Sequence, residues 1–149
     1  PSNLAKRSKD FNLIGFGANC GIGAPDLLAT INDISKNVEP GTVVISKANC
    51  GIPEFKDGSI VYSGTEELMS HYVKIAMNSG AKIIGGCCGT SFDHVRAMRK
   101  AMDEHSVTSA PTLEEIEEKV GAMSEGSKSI FKGDDSKPKK QRRSRRSRA

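Results

Sequence analysis

The stretch Ile-Ile-Gly-Gly-Cys-Cys-Gly-Thr at residues 83–90 decides both the fold and the site of this chain. An apolar run that ends in glycines and adjacent cysteines is typical of a buried strand followed by a tight turn. Adjacent thiols on a regular strand would point to opposite faces of the sheet. The glycines let the backbone leave that alternation, so that Cys87 and Cys88 can both reach one soft metal ion. Taken alone, such a pair is more often part of the apolar core.

Two earlier segments share this organisation. The pentapeptide Ala-Asn-Cys-Gly-Ile occurs at residues 18–22 and again at 48–52. Each copy follows an apolar run, at 12–17 and at 42–46, that predicts a buried strand, and residues 81–84 predict a third. The interval between the copies fits one strand plus one helix, so they indicate equivalent loops of successive βα units.

A helix with a one-sided apolar face is predicted after each strand. The inward residues are Leu27, Ile31 and Ile34 in the first helix, Leu68, Tyr72, Ile75 and Ala76 in the second, Val95, Met98 and Met102 in the third, and Leu113, Ile116 and Val120 in a further short helix. Strand, loop and helix three times over, with apolar rather than alternating strands, favours the α/β class with a parallel sheet covered by helices. In such folds the loops after the strands emerge at one edge and build the site.

All the cysteines of the chain lie at that edge, namely Cys20, Cys50, Cys87 and Cys88. The chain has no secretory leader and no apolar run long enough to span a bilayer, so we expect a cytoplasmic protein without a membrane partner. Thiols stay reduced in that compartment, which argues against disulfides. Cysteines that all follow predicted strands favour a metal site over plain core.

The basic character of the chain is confined to its end. Residues 137–149 hold three Lys and five Arg and no acid, whereas the rest of the chain has 14 basic against 18 acidic side chains. Apolar side chains near this end are too few to offset the entropy of ordering, so we expect disorder over 127–149.

Two motifs together carry a family likeness. Gly-Ala-Asn-Cys at 17–20 and Gly-Gly-Cys-Cys-Gly-Thr at 85–90 resemble the paired signature of the homocysteine S-methyltransferase family, and residues 47–53 are similar to the family's Asn-x-Gly-x-Pro loop. The likeness covers residues 12–104 and implies strands 6 to 8 of a (β/α)8 TIM barrel. The implied divisions are the C-terminal part of a homocysteine-binding barrel domain at 1–110, a short helical extension at 111–126 and a disordered Lys/Arg-rich tail at 127–149.

Carried over residue by residue, the zinc ligands of the family are Cys20, Cys87 and Cys88. Cys50 stands where family members often have a small residue, so we leave it out of the zinc shell. Three thiolates leave Zn²⁺ an open fourth position, which is typical of a catalytic site. The resemblance implies that the sulfur of homocysteine takes this position as a thiolate and attacks the methyl group of an onium donor, giving methionine. Asn19 is a weak candidate for substrate contact, and Asn19 and Asn49 for orienting their loops, although Asn beside Gly is more often turn chemistry.

The resemblance implies that the methyl donor is glycine betaine, S-methylmethionine or a folate. The sequence of residues 50–55 and 62–69 is most similar to the betaine-homocysteine branch of the family, which favours glycine betaine. A quaternary ammonium ion is bound by an aromatic cage, yet this chain has no Trp and only two Tyr. Since a complete barrel takes about 250 residues, the resemblance implies that five βα units precede this chain. We therefore expect open sheet edges that favour association, including homo-oligomers, and no turnover by the chain alone.

Two other functions stay open. The basic segment at 137–149 can hold the phosphates of a nucleic acid, but it lacks interleaved aromatics and a reading motif, so this is the weaker prediction. A purely structural zinc module would need a fourth protein ligand, for which Cys50 is the obvious candidate.

Overall fold

The computed structural model describes residues 1–134 of the chain. Its strands are β1 (Gly15–Cys20), β2 (Val43–Ala48), β3 (Pro53–Lys56), β4 (Ser59–Tyr62) and β5 (Ile83–Gly86). Its helices are α1 (Ser2–Arg7), α2 (Ala24–Asn37), α3 (Glu66–Asn78), α4 (Phe92–Glu104), α5 (Leu113–Val120) and α6 (Glu125–Phe131), with a 3₁₀ turn at Ser8–Phe11. Strands β1, β2 and β5 form a parallel sheet with β2 in the centre, which confirms an α/β fold with a parallel sheet.

All three strands of this sheet end later than the apolar runs predicted. The sheet pairing continues through Asn19 and Cys20, which pair with Lys47 and Ala48. Parallel pairing is made by backbone groups, so polar side chains at the end of a strand do not interrupt it. As a consequence, Cys20 is the last residue of β1 rather than part of the following loop.

The helices cover one face of the sheet. Helix α2 packs on β1 and β2, and α4 packs on β5. On β2, the alternate residues Val44, Ser46 and Ala48 are buried on the helix side, while Lys47 on the other face is exposed. The predicted inward residues of the first two helices are confirmed, because each is buried or packs against the core.

A buried hydrogen bond joins the sheet to α3. The hydroxyl groups of Ser46 and Tyr72 lie 2.6 Å apart, and neither side chain is exposed to solvent. Burial raises the pKa of Tyr72, so its hydroxyl keeps the proton it needs for this bond.

The third predicted helix is α4, and one of its predicted inward residues is wrong. Met98 is buried and Met102 packs against the core, but Val95 is 51% exposed. Phe92, in the same first turn, is also exposed. The residues that the structure describes include no element that covers this turn, which a periodicity argument cannot foresee.

The sequence analysis predicts neither the hairpin β3–β4 nor α1. Residues 53–62 form the antiparallel hairpin β3–β4, with Pro53 opposite Tyr62. Asp57 and Gly58 at its tip both have positive φ, as a two-residue Asp-Gly hairpin turn requires. Short α1 also forms at the N-terminus, where the sequence has no clear periodicity, and packs on α2.

The C-terminal segment is ordered further than predicted. Helix α5 forms as expected, with Ile116 and Val120 buried. Disorder from residue 127 is wrong at its start, because α6 runs to Phe131 and packs on α2. Phe131 packs against the core, and polar contacts add to this packing, since the hydroxyls of Ser124 and Ser127 donate to the carboxylate of Asp26. The rest of the predicted tail, residues 135–149, lies outside the described residues, and the other predicted divisions stay predictions.

None of the helices within residues 1–134 is long and apolar enough to cross a membrane.

The Ser46–Tyr72 bond predicts non-additive losses of stability. Tyr72→Phe and Ser46→Ala should each lower the free energy of unfolding by about 1–3 kcal/mol. Each substitution removes one hydroxyl and leaves the other hydroxyl buried without this partner. The double variant should lose less than the sum of the two, as groups in direct contact do in a double-mutant cycle. Urea denaturation measures all four proteins, and strictly additive losses would contradict the bond.

The attachment of the C-terminal segment should weaken in acid. The backbone N–H of Met123 and then the ammonium of Lys128 hold the pKa of Glu117 below its ordinary value. A carboxyl with a depressed folded-state pKa stabilises above its unfolded value and loses that effect as the pH falls through the folded value. Amide hydrogen exchange of residues 121–131 should therefore speed up, beyond its intrinsic pH dependence, as the pH drops from 7 to 3.

The matched control for this prediction is the exposed neighbour Glu118. Glu117→Gln should raise exchange at pH 7 and remove most of the acid response, whereas Glu118→Gln should leave both unchanged. Equal behaviour of the two variants would refute the assignment.

Candidate functional site

Three sulfurs meet at the carboxyl end of the parallel sheet. The Sγ atoms of Cys20 and Cys88 lie 3.6 Å apart, and those of Cys87 and Cys88 lie 3.9 Å apart. All three Sγ atoms lie within 4.8 Å of one another. The residues that the sequence proposed as ligands are thus brought together, although 66 residues separate Cys20 from Cys87.

The sheet register explains this convergence. Cys20 on β1 and Gly86 on β5 both pair with Ala48 of the central strand. The backbone N–H of Cys87 then donates to the carbonyl of Ala48 at 2.7 Å. The segments that carry Cys20 and Cys87 therefore leave the sheet at the same level, on either side of β2.

Backbone conformation then turns the sulfur of Cys20 toward the pair. Cys20 has φ 64°, in the left-handed region, and Gly21 follows with φ 82°. A side chain other than glycine in this region costs about 1 kcal/mol. Strain of this kind is typical of a functional site and is retained here at a candidate ligand.

The glycines of the Gly-Gly-Cys-Cys-Gly turn are needed mainly because other groups approach them closely, whereas we expected them to supply unusual backbone angles. Gly86 does not have positive φ, but a Cβ there would lie 2.3 Å from the side chain of Thr90. Gly89 does have positive φ, and a Cβ there would lie 2.4 Å from the ring of Tyr62. Close approach therefore matters at both positions, and conformational freedom only at Gly89.

Asn49 links the three chain segments of the site. Its side chain is only 2% exposed. The Oδ1 atom accepts from the Cys20 thiol at 3.2 Å and from the Cys88 backbone N–H at 3.3 Å, and Nδ2 donates to the carbonyl of Gly21 at 2.8 Å. A buried amide with both ends bonded fixes the positions of its partners. The repeated Ala-Asn-Cys-Gly-Ile was the signal for this residue, but spacing alone did not separate it from Asn19.

Asn19 makes a weaker contact with the three sulfurs than Asn49 does. Its side chain is exposed, and its Nδ2 lies 4.0 Å from the sulfur of Cys87. Asn19 and Lys47 are paired residues on the sheet face that the helices leave open. Lys47 was not singled out by the sequence, because an isolated lysine within an apolar run carries no motif.

Hydrogen bonding shifts the pKa values of Cys20 and Cys87 in opposite directions. The bond with Cys87, followed by the one with Cys88, raises the pKa of Cys20. The same contact with Cys20 lowers the pKa of Cys87, assisted by the backbone N–H of Cys88. Of these two thiols, Cys87 therefore has the lower pKa.

Tyr62 is a site residue that sequence reasoning missed. The neighbouring side chain of Cys88 raises the pKa of Tyr62. Its ring lies against Gly89 at the end of the hairpin. No motif marks this residue, because its position beside Cys88 depends on a hairpin that the sequence analysis did not predict.

Cys50 lies apart from the three sulfurs. It is fully buried, and burial raises the pKa of its thiol. A Cβ on Gly64 would lie 2.6 Å from its Sγ, so the loop after the hairpin packs directly on it. Within the described part of the chain, neither Cys50 nor any other Cys, His, Asp or Glu joins the group of Cys20, Cys87 and Cys88.

This donor set suits a soft or borderline divalent ion. Thiolates are the ligands that zinc and other thiophilic metals prefer. Three of them without a fourth protein ligand leave one coordination position for a water molecule or a substrate.

Comparison with models of known protein families adds an independent finding. The family model described as homocysteine S-methyltransferase matches residues 1–102, which include all three clustered cysteines and Asn49. On this match, the chain belongs to the homocysteine S-methyltransferase family.

Proposed function

We propose that this chain carries the zinc site of an enzyme that moves a methyl group from an onium donor to the sulfur of homocysteine. The observation that carries the proposal is the group of three sulfurs at the carboxyl ends of two strands, all within 4.8 Å of one another. Family membership supports methyl transfer to homocysteine as the reaction.

Cys20, Cys87 and Cys88 would hold the ion. When bound, zinc would keep its thiol ligands deprotonated and hold a substrate thiol as a nucleophilic thiolate at neutral pH. Asn49 orients two of the three cysteines, because its Oδ1 atom accepts from the Cys88 backbone N–H and its Nδ2 atom donates to the carbonyl of Gly21, next to Cys20. The left-handed turn at Cys20 directs its sulfur to the same point.

The four-ligand structural module is the less favoured function. It needs a fourth protein ligand, and Cys50 is buried beneath the backbone around Gly64 instead. The nucleic-acid function rests on residues 137–149, which lie outside the described residues, and neither the site nor the family match supports it.

We further propose that the three βα units are the sixth to eighth units of a (β/α)8 barrel. Parallel sheets normally have both faces covered. Here β1 and β5 each pair only with β2 among the described strands, and one face of the sheet has no helix on it. Apolar residues remain exposed next to or within the outer strands, with Ile14 at 87% and Ile83 at 53% exposure. Five further units would pair both edges, cover these residues and complete the substrate site.

Glycine betaine is the donor that we propose, because the sequence of residues 50–55 and 62–69 is most similar to the betaine-homocysteine branch of the family. Of the two tyrosines, Tyr72 is fully buried in the core, so only Tyr62 is placed to contact a donor cation. The remaining aromatic groups of a cage would come from the other barrel units. Homo-oligomer formation and a cytoplasmic location also stay proposals.

Zinc-edge X-ray absorption tests the proposed site without requiring turnover. One zinc per chain should show three sulfur neighbours at about 2.3 Å. Adding homocysteine should raise the number to four, because its thiolate enters the open position. Four sulfurs before homocysteine is added would contradict the catalytic site and favour a structural one.

Cysteine variants supply the matched controls for this experiment. Cys50→Ala should keep the three-sulfur shell and its response to homocysteine. Cys20→Ala should leave two sulfurs and bind zinc more weakly. If Cys50→Ala removes a sulfur instead, the ligand assignment is wrong.

The buried amide of Asn49 should matter for metal affinity. Asn49→Ala should weaken zinc binding about 10- to 100-fold, as is usual when a group that orients metal ligands is removed. Asn19→Ala makes the same chemical change in the other copy of the repeat and should weaken binding far less. Competition with a chromogenic chelator measures both affinities, and thermal unfolding of each variant checks that the fold is kept. Equal losses for the two variants would contradict the role of Asn49.

A further inference from the structure

The face of the parallel sheet that the helices leave open carries one charged side chain, that of Lys47. Alternate residues of the three strands make this face. At its carboxyl end, Lys47 pairs with Asn19 on one side and with Gly85 on the other. The next row along the strands is apolar and consists of Gly17, Ile45 and Ile83. Among the described strand residues of this face, a single cation therefore borders an apolar surface.

The row that contains Lys47 lies next to the three sulfurs. Lys47 immediately precedes Ala48, the residue that pairs with Cys20. One residue of a parallel strand rises by about 3.3 Å, which is less than the length of the four-carbon stem of lysine. Asn19 in the same row already lies near a sulfur, with its Nδ2 atom 4.0 Å from Sγ of Cys87. The ammonium group of Lys47 is therefore within reach of a molecule bound at the sulfurs.

The side chain of Lys47 extends over β5, the strand that leads into Cys87 and Cys88. A Cβ built on Gly85 would lie 3.5 Å from Cγ and 3.8 Å from Cε of Lys47, so the stem passes over this glycine. Gly85 does not have positive φ, so its backbone conformation does not require a glycine. A larger side chain at this position would take the space that the stem of Lys47 occupies.

The ammonium group of Lys47 has no partner of opposite charge within residues 1–134. The ion pairs made by lysines in this part of the chain belong to Lys56, Lys100, Lys119 and Lys128. A cation beside an apolar surface loses hydration when that surface is covered, and an anion offsets this cost. The proposed barrel covers this face, so Lys47 requires an anionic partner there. Homocysteine and glycine betaine each bring a carboxylate group that suits this place.

We propose, on the basis of the proposed function, that Lys47 binds the carboxylate of a substrate that lies over the open face of the sheet. The ammonium group would donate charge-assisted hydrogen bonds to the carboxylate oxygens. With its sulfur at the three cysteines and its carboxylate on Lys47, homocysteine is fixed at both ends and oriented for attack. The carboxylate of glycine betaine has the same chemistry, so the two ligands are tested separately.

Binding of paired thiols to the Co²⁺-loaded chain tests this role. Homocysteamine is homocysteine without its carboxylate, so the ratio of the two affinities reports on that group alone. Thiolate-to-cobalt absorption measures both affinities. Lys47→Met keeps an apolar stem and removes the charge. It should lower the preference for homocysteine about three- to tenfold, an effect between those of an exposed ion pair and of a typical hydrogen bond to a charged group.

The matched control is Lys82→Met, because Lys82 immediately precedes β5, at the opposite end of the strand from the sulfurs. This variant should keep the preference of the unmodified chain, and Lys47→Arg should keep most of it. An equal loss of preference in Lys82→Met would overturn the proposal. Weaker Co²⁺ binding by Lys47→Met with the preference kept would show that Lys47 balances the charge of the thiolates, which also overturns it.

An NMR titration covers the methyl donor and separates this proposal from the proposed function. A chain that binds neither Zn²⁺ nor Co²⁺ contradicts the proposed function. The ε-methylene signal of Lys47 is followed in the zinc-loaded chain or, if no metal binds, in the metal-free chain. The ligand pairs are homocysteine against homocysteamine, and glycine betaine against choline, which lacks the carboxylate. A shift that requires the carboxylate supports the proposal and identifies the substrate that Lys47 binds, whereas no such shift in either pair overturns it.

Discussion

The register of three parallel strands is the constraint on which the site depends. Because Cys20 and Gly86 both pair with Ala48, two cysteine-bearing segments leave the sheet at the same level on either side of one strand. A shift of one residue in either pairing would also move the affected side chains to the opposite face of the sheet. The core beneath β2, with Ser46 bonded to Tyr72, holds the register that the sulfurs need.

Central strand β2 also provides the parts that complete the cluster. The residue after it, Asn49, fills the space between Cys20 and Cys88 with a fully bonded amide, and Cys50 ties the hairpin to the same turn. The three sulfurs are thus organised by a segment that contributes no sulfur to the group. Such an arrangement would keep the geometry of a three-sulfur metal site defined without a fourth protein ligand.

The sequence was sufficient where local pattern and chemistry agree. Apolar runs, helix faces and the position of each cysteine after a strand predicted the parallel sheet, and the family likeness predicted the trio of Cys20, Cys87 and Cys88. It was insufficient where an element depends on contacts made across the fold. The hairpin that carries Tyr62 is largely exposed, and α6 is held by serine hydroxyls on Asp26 in addition to the packing of Phe131 on the core. The exposure of Val95 likewise depends on which elements cover α4, and the spacing of apolar residues along the helix does not reveal this.

The central claim is that Cys20, Cys87 and Cys88 bind one metal ion together. Its most direct test is NMR of the chain loaded with ¹¹³Cd, in which scalar couplings link the metal to the β-protons of each cysteine ligand. The account predicts that a single ¹¹³Cd resonance correlates with the β-protons of all three residues and not with those of Cys50. A spectrum in which Cys20 shows no coupling, or in which Cys50 does, would contradict it.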